Sequence, residues 1–126
     1  MELEKIHTEN APEAIGPYSQ AVRVGDFVFT SGQIALVPAT GTVEAEDIVG
    51  QTEQVMKNLT EVLKAAGSSM DNAVKTTCFL ADMNDFAAFN EVYGKYFTSK
   101  PARSCVAAKQ LPKNVLVEVE VIATVG

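Results

Sequence analysis

The segment VLVEVEVIATV (115–125) constrains this chain most. In an extended backbone its alternation places Val115, Val117, Val119, Val121, Ala123 and Val125 on one side. Leu116, Glu118, Glu120, Ile122 and Thr124 fall on the other. The all-valine side suits burial beneath helices. The second side sets carboxylates between Leu116 and Ile122, as a partly buried polar surface would, and its apolar members favour a subunit interface over free solvent.

The rest of the chain supplies what such a strand needs. KIHT (5–8) reads as a short strand and ENAPEAIGPY as a loop bent by Pro12, Gly16 and Pro17. SQAVRV (19–24) and FVFTSG (27–32) flank the turn Gly25-Asp26 and predict a hairpin. LVPATGTV reads as another loop, broken by Pro38 and Gly41. From Asp47 to Ala66, Ile48, Val55, Met56, Leu59, Val62, Leu63 and Ala66 recur at one-face helical spacing, with Asp47 as N-cap and Gly67 as the C′ residue. AVKTTCFLA (73–81) reads as a strand. Asn84 to Phe97 reads as a second helix carrying Phe86, Phe89, Tyr93 and Phe97 on one side. ARSCVAA (102–108) and the alternating segment finish the chain, separated by the breaker LPKN, which by itself suggests that the last two strands pair as a hairpin.

The order β-β-β-α-β-α-β-β over residues 1–126 describes one α+β domain with a six-stranded sheet. Two helices cannot cover both faces of such a sheet, so both pack on one, and the other meets water or another subunit. A net charge of −6 argues against phosphate backbones and anionic membranes as partners. Two cysteines, Cys78 and Cys105, read as free thiols of a reducing compartment. With neither a signal-like start nor a long apolar run, the expected location is the cytoplasm. One histidine, His7, and no His/Cys cluster make a metal site improbable. Within this frame Arg103 has two readings of equal standing: a structural salt bridge to Glu118 or Glu120, or a polar pocket that holds an anion.

TENAPEAIGPYSQA (8–21), FTSGQI (29–34), QTEQVMKNLTEVLKAAG (51–67), KTTCFLADMNDFAAFNEVYGKYF (75–97) and PARSCV with LPKNVLVEVEVIA (101–123) together resemble the RidA (YjgF) family of enamine/imine deaminases. The resemblance covers nearly the whole chain. It implies a chorismate-mutase-like fold, a mixed six-stranded sheet with two helices on one face. It also implies a homotrimer with inward-facing sheets and a ligand pocket at each subunit interface. Against the hairpin suggested by LPKN, it sets the final strand between the strand after the first hairpin and the one at 73–81.

The implied reaction is hydrolysis of 2-imino acids, formed from the 2-aminoacrylate or 2-aminocrotonate released by pyridoxal-phosphate dehydratases, to 2-keto acids and ammonia. The protein itself uses no cofactor. By the same resemblance Arg103 grips the substrate carboxylate, Glu118 handles the hydrolytic water, and Tyr18 offers its hydroxyl to substrate or water. Cys105 lends its backbone N–H, Ser31 and Gly32 line the cleft, Asn90 stands near it, and Phe89 forms an apolar wall. Glu120 is expected to be structural and Cys78 plain core. The connection YFTSKPARS is shorter than in many relatives, which bears on the pocket rim. Three other functions stand beside this one: a non-catalytic small-carboxylate regulator using the same cleft, a holdase-type chaperone, and RNA cleavage, which the acidic charge disfavours.

Overall fold

The computed structural model describes residues 1–126. Its elements run β1 (Leu3–Ile6), β2 (Ala21–Val24), β3 (Phe27–Thr30), β4 (Leu36–Val37), β5 (Thr42–Val43), α1 (Ile48–Ala65), β6 (Ala73–Leu80), α2 (Phe86–Tyr96), β7 (Ala102–Ala107) and β8 (Val117–Thr124). The main sheet has the order β1-β2-β3-β8-β6-β7, antiparallel except for the β6–β7 pair.

The alternating strand occupies the sheet's middle. Val117, Val119, Val121 and Ala123 are buried beneath the helices, while Glu118, Glu120, Ile122 and Thr124 are half-buried on the other face. The covered face meets the apolar stripe of α1, where Val55, Met56, Leu59, Val62 and Leu63 have no exposed surface. That helix starts and stops as its sequence dictates. Asp47 Oδ1 accepts from the Gly50 N–H at 2.8 Å. At the other end Gly67 takes a φ of +78°, and the N–H groups of Gly67 and Ser68 donate to Lys64 and Leu63 carbonyls at 3.1 and 2.8 Å. The open face exposes Leu3, Phe27, Phe29 and Val106, which no element of this chain covers.

Three sequence expectations shift. The first strand lies at Leu3–Ile6 rather than 5–8, because its register with β2 pairs Ile6 with Ala21 and leaves His7 outside. The stretch read as a loop at 36–43 contains the short hairpin β4–β5, closed through Gly41 at φ +68°. The second helix begins at Phe86, after a 3-10 turn (Met83–Asp85) in which Asp82 accepts from the Asn84 N–H at 2.8 Å. The strand order implied by the family resemblance, against the LPKN hairpin, holds: β7 and β8 do not pair. β8 inserts between β3, the second strand of the first hairpin, and β6, while β7 runs parallel to β6 at the sheet's edge. The connection spends Lys113 and Asn114 at φ +54° and +53° to turn the chain beneath the sheet's end, a left-handed pair that the letters LPKN did not announce.

No helix is long and apolar enough to cross a membrane.

Candidate functional site

The first cluster forms where β3 leaves β8. Phe29 pairs with Ile122, and the next contact is the bridge between Gln33 and Val119. Between them the segment leaving β3 spends residues 30, 31 and 32 against 120 and 121 on β8, which is a bulge of one residue. Thr30 heals the gap, its Oγ1 accepting the Val121 N–H at 2.9 Å. The bulge takes Ser31 and Gly32 out of the ladder with β8 and sets Gly32 over Glu118. A Cβ at position 32 would collide with the Glu118 carboxylate, meeting its Cδ at 2.9 Å, so only glycine lets the acid lie there.

The loop from Thr8 to Ser19 closes the other side and is pinned by buried Gln20. Its Oε1 accepts the Thr8 N–H at 2.7 Å, and its Nε2 donates to the Thr8 and Pro12 carbonyls at 3.0 and 2.8 Å. Ser31 secures the same loop by donating its hydroxyl to the Ser19 carbonyl at 2.6 Å. What results is a pocket of about 190 Å³ in which Tyr18, Gly32 and Glu118 meet, with Ile15, Ile34 and Lys113 among its walls. Tyr18 remains half exposed. Burial, and secondarily the charge of Glu120, push the Glu118 carboxyl above its ordinary value, so it holds a proton more readily than a surface glutamate.

Arg103 builds the second cluster. Its guanidinium donates from Nη1 to Asn90 Oδ1 at 2.6 Å and lies over the rings of Tyr93 and Phe86, 4.8 and 5.4 Å from their centroids. A pocket of about 450 Å³ opens beside it, lined by Asn90, Tyr93, Thr98, Lys100 and Arg103. No carboxylate pairs with Arg103. The one close contact between a basic and an acidic side chain joins His7 and Glu13 at 3.0 Å. The salt bridge to Glu118 or Glu120 considered from sequence is therefore not made within the chain.

Sheet register explains why. Arg103 pairs with Thr76, Cys105 with Cys78 and Glu118 with Phe79. Thr76 and Cys78 are buried under the helices, so Arg103 and Cys105 belong to the covered face at the sheet's edge, while Glu118 and Glu120 belong to the open one. Within one chain the structure thus brings Tyr18, Gly32 and Glu118 together, with Ser31 alongside, and separately joins Arg103 to Asn90.

Phe89 stands apart from both clusters. It has no exposed surface, packs on Tyr93 with ring centroids 5.6 Å apart, and lines neither pocket. The apolar-wall role expected of it is corrected to a core role, because α2 turns that side chain inward. Cys105 is half-buried and its thiol is raised by burial, with the Arg103 charge working the other way. Cys78 is pushed up to about 12, chiefly by burial, and stays a protonated core thiol. Sequence reading missed Phe86 and Tyr93 as neighbours of Arg103. The signal was present, since positions 86, 90 and 93 share one helical face. It also missed Gln20, whose burial in a polar loop nothing local announces.

Comparison with known proteins agrees with this architecture. A family model described as "Endoribonuclease L-PSP" matches residues 8–125, and the chain belongs to this family, that of RidA and YjgF. A RutC family protein of Pyrococcus horikoshii is 54% identical over 121 residues, covering 95% of this chain and 96% of that protein. A chloroplastic protein of Arabidopsis thaliana named Reactive Intermediate Deaminase A is 49% identical over 122 residues, which is 96% of this chain and 65% of its own length. Among solved structures, E. coli TdcF with bound serine superposes with a TM-score of 0.92 at 44% identity, covering 98% of this chain and 99% of that one.

Proposed function

We propose that this protein is a hydrolytic deaminase of small 2-imino acids, and that its active site is completed by two copies of the chain. The observation that carries the reading is the division of the site. An arginine without a counter-ion stands at one face and edge of the sheet, and an acid of raised proton affinity stands on the other face. Neither pocket alone contains both the anion anchor and the proton-transfer group. The exposed apolar side chains around Glu118's face, Leu3, Phe27 and Phe29, give a second copy a surface to cover, in keeping with a homotrimer. The position of β7 at the sheet's edge supports a reading in which Arg103 meets a neighbouring protomer's Glu118 pocket.

In the assembled site Arg103 binds the substrate carboxylate through parallel N–H donors. The imine carbon is already electrophilic. Glu118 orients a water molecule and takes its proton as oxygen attacks that carbon, giving a tetrahedral carbinolamine. The acid then returns that proton to nitrogen, and a second transfer through the same carboxylate carries the hydroxyl proton to nitrogen as the C–N bond breaks, so that ammonia leaves and a 2-keto acid remains. One water is consumed and no electrons change hands. A carboxyl raised by burial holds and returns a proton more readily than a surface glutamate does. The Tyr18 hydroxyl, facing the same pocket, holds the water or the developing hydroxyl. The relative named as a reactive intermediate deaminase and the relative holding serine, itself a small amino acid, support the substrate class.

RNA cleavage, which the family's description suggests, finds little support in the chemistry present. The chain carries a net charge of −6, and its one histidine is engaged by Glu13 at 3.0 Å, outside both clusters. Binding without turnover, as in a regulator, would need Arg103 but not Glu118. The test generates 2-aminoacrylate in situ with a pyridoxal-phosphate dehydratase and follows keto-acid release. Wild-type protein accelerates release and Arg103→Ala does not. Equal rates with both proteins would refute the enzymatic reading.

A further inference from the structure

Everything that holds Arg103 is uncharged. Asn90 Oδ1 accepts from Nη1 at 2.6 Å, and the rings of Tyr93 and Phe86 lie 4.8 and 5.4 Å from the guanidinium carbon. All three residues come from α2 at positions 86, 90 and 93. Tyr93 is itself fixed: its hydroxyl is 2.6 Å from Thr76 Oγ1, and its ring packs on Phe97 with centroids 4.6 Å apart. Acids are at hand on the same stretch, Asp85 beside Phe86 and Glu91 beside Asn90, yet neither pairs with the arginine. The Nε and Nη2 donors have no partner in the chain, so one planar edge of the guanidinium stays free.

We propose that Asn90, Phe86 and Tyr93 form a neutral clamp. It fixes the plane of the Arg103 guanidinium while leaving its charge uncompensated, so that the ligand's carboxylate becomes its only counter-ion. The inference rests on Arg103 being the carboxylate anchor, and it assigns the three residues positioning roles exerted through that arginine. The physical reason lies in the choice of acceptor. An aspartate at position 90 would have nearly the same shape and accept a stronger hydrogen bond, but it would neutralise the guanidinium and compete with the incoming anion. An amide supplies the geometry without the competition. The aromatic faces do the same, since they attract a cation without supplying a carboxylate.

Asn90→Asp therefore separates ligand affinity from stability. With assembled full-length protein, the Kd for 2-ketobutyrate is measured by calorimetry alongside the melting temperature. Asn90→Asp should bind about tenfold or more weakly while melting no lower than wild type, since it gains an ion pair and loses a binding charge. Asn90→Leu should melt lower yet bind better than Asn90→Asp. Phe86→Leu should weaken binding by about threefold to tenfold and Phe86→Tyr should restore it, because the tyrosine keeps the ring face. Asn90→Asp binding within about twofold of wild type, or Asn90→Leu binding worse than it, overturns the clamp. Should Asn90→Asp fail to fold, the Phe86 pair decides, and equal affinities of leucine and tyrosine variants overturn it. Arg103→Ala tells the two failures apart. If that variant keeps wild-type affinity, the anchor reading falls. If it loses affinity while the Asn90 and Phe86 variants keep theirs, only the clamp falls.

Discussion

Glu118 and Arg103 stand on opposite faces of one sheet, and the fold holds them by different means. Glu118 is placed by backbone: a bulge lifts Gly32 over it, and the absence of a Cβ there makes its room. Arg103 is placed by side chains, two rings and an amide from α2 reaching an edge strand. The acid lies in a pocket whose burial raises its proton affinity, whereas the guanidinium has no paired carboxylate. This difference shows how one chain can hold a strong cation and a carboxyl of raised proton affinity without pairing them. Within one chain they sit on separate faces.

The comparison can be broken or sharpened by variants on either side. The largest effect is expected from Glu118→Gln, which should lower kcat about 10²–10⁴-fold, the usual worth of general acid–base help, while the Kd for 2-ketobutyrate changes little. A collapse of affinity instead would move the anchor role to Glu118's side. Gly32→Ala follows. Its Cβ would meet Glu118 Cγ at 3.0 Å, so the carboxyl must swing away, and kcat should fall by roughly 10² as for other small misplacements. Full activity in that variant would mean that the backbone does not position the acid. Arg103→Lys should weaken 2-ketobutyrate binding about tenfold to a hundredfold, since an ammonium cannot reproduce two parallel donors. Gln20→Ala should leave the loop's carbonyls and the Thr8 N–H without their buried partner, costing about 1–3 kcal/mol and roughly 3–10 °C in Tm.

The smallest effect is a pH dependence of stability. Glu118 binds its proton more tightly folded than unfolded, because burial first and Glu120 second raise it above 4.5. Ionising it as pH rises through that window therefore costs stability. Glu118→Gln should melt above wild type at neutral pH, and the gap should close below 4.5. A gap that widens in acid would show that the carboxylate is stabilised, not strained, by its pocket.

How much of this was legible in the sequence follows from the range of each signal. Local signals sufficed for α1, whose caps Asp47 and Gly67 and apolar stripe lie within its own span, and for the two faces of β8, fixed by alternation. The placement of β7 was not local. LPKN promised a hairpin, and only the family resemblance put β8 between the hairpin side and β6, because parallel pairing with β6 is chosen by packing across the whole sheet. The same limit hid the division of the site. Alternation tells which residues of one strand share a face, but not which face of β7 matches which face of β8. Arg103 and Glu118 could thus be named from motifs, yet their separation needed the register through β6. Phe89 failed for a related reason: Phe86, Phe89 and Tyr93 share a side of α2, and depth beneath the sheet decides that Phe89 is core while Phe86 lies against Arg103.

Complementation tests the composite site most directly. Arg103→Ala and Glu118→Gln proteins, each inactive in the imine assay, are unfolded together and allowed to reassemble. Sites that pair an intact Arg103 from one copy with an intact Glu118 from another should return about a quarter of wild-type activity under random mixing. If the mixed assembly stays as inactive as its components, each chain works with its own arginine and its own acid, and a site shared between copies is contradicted.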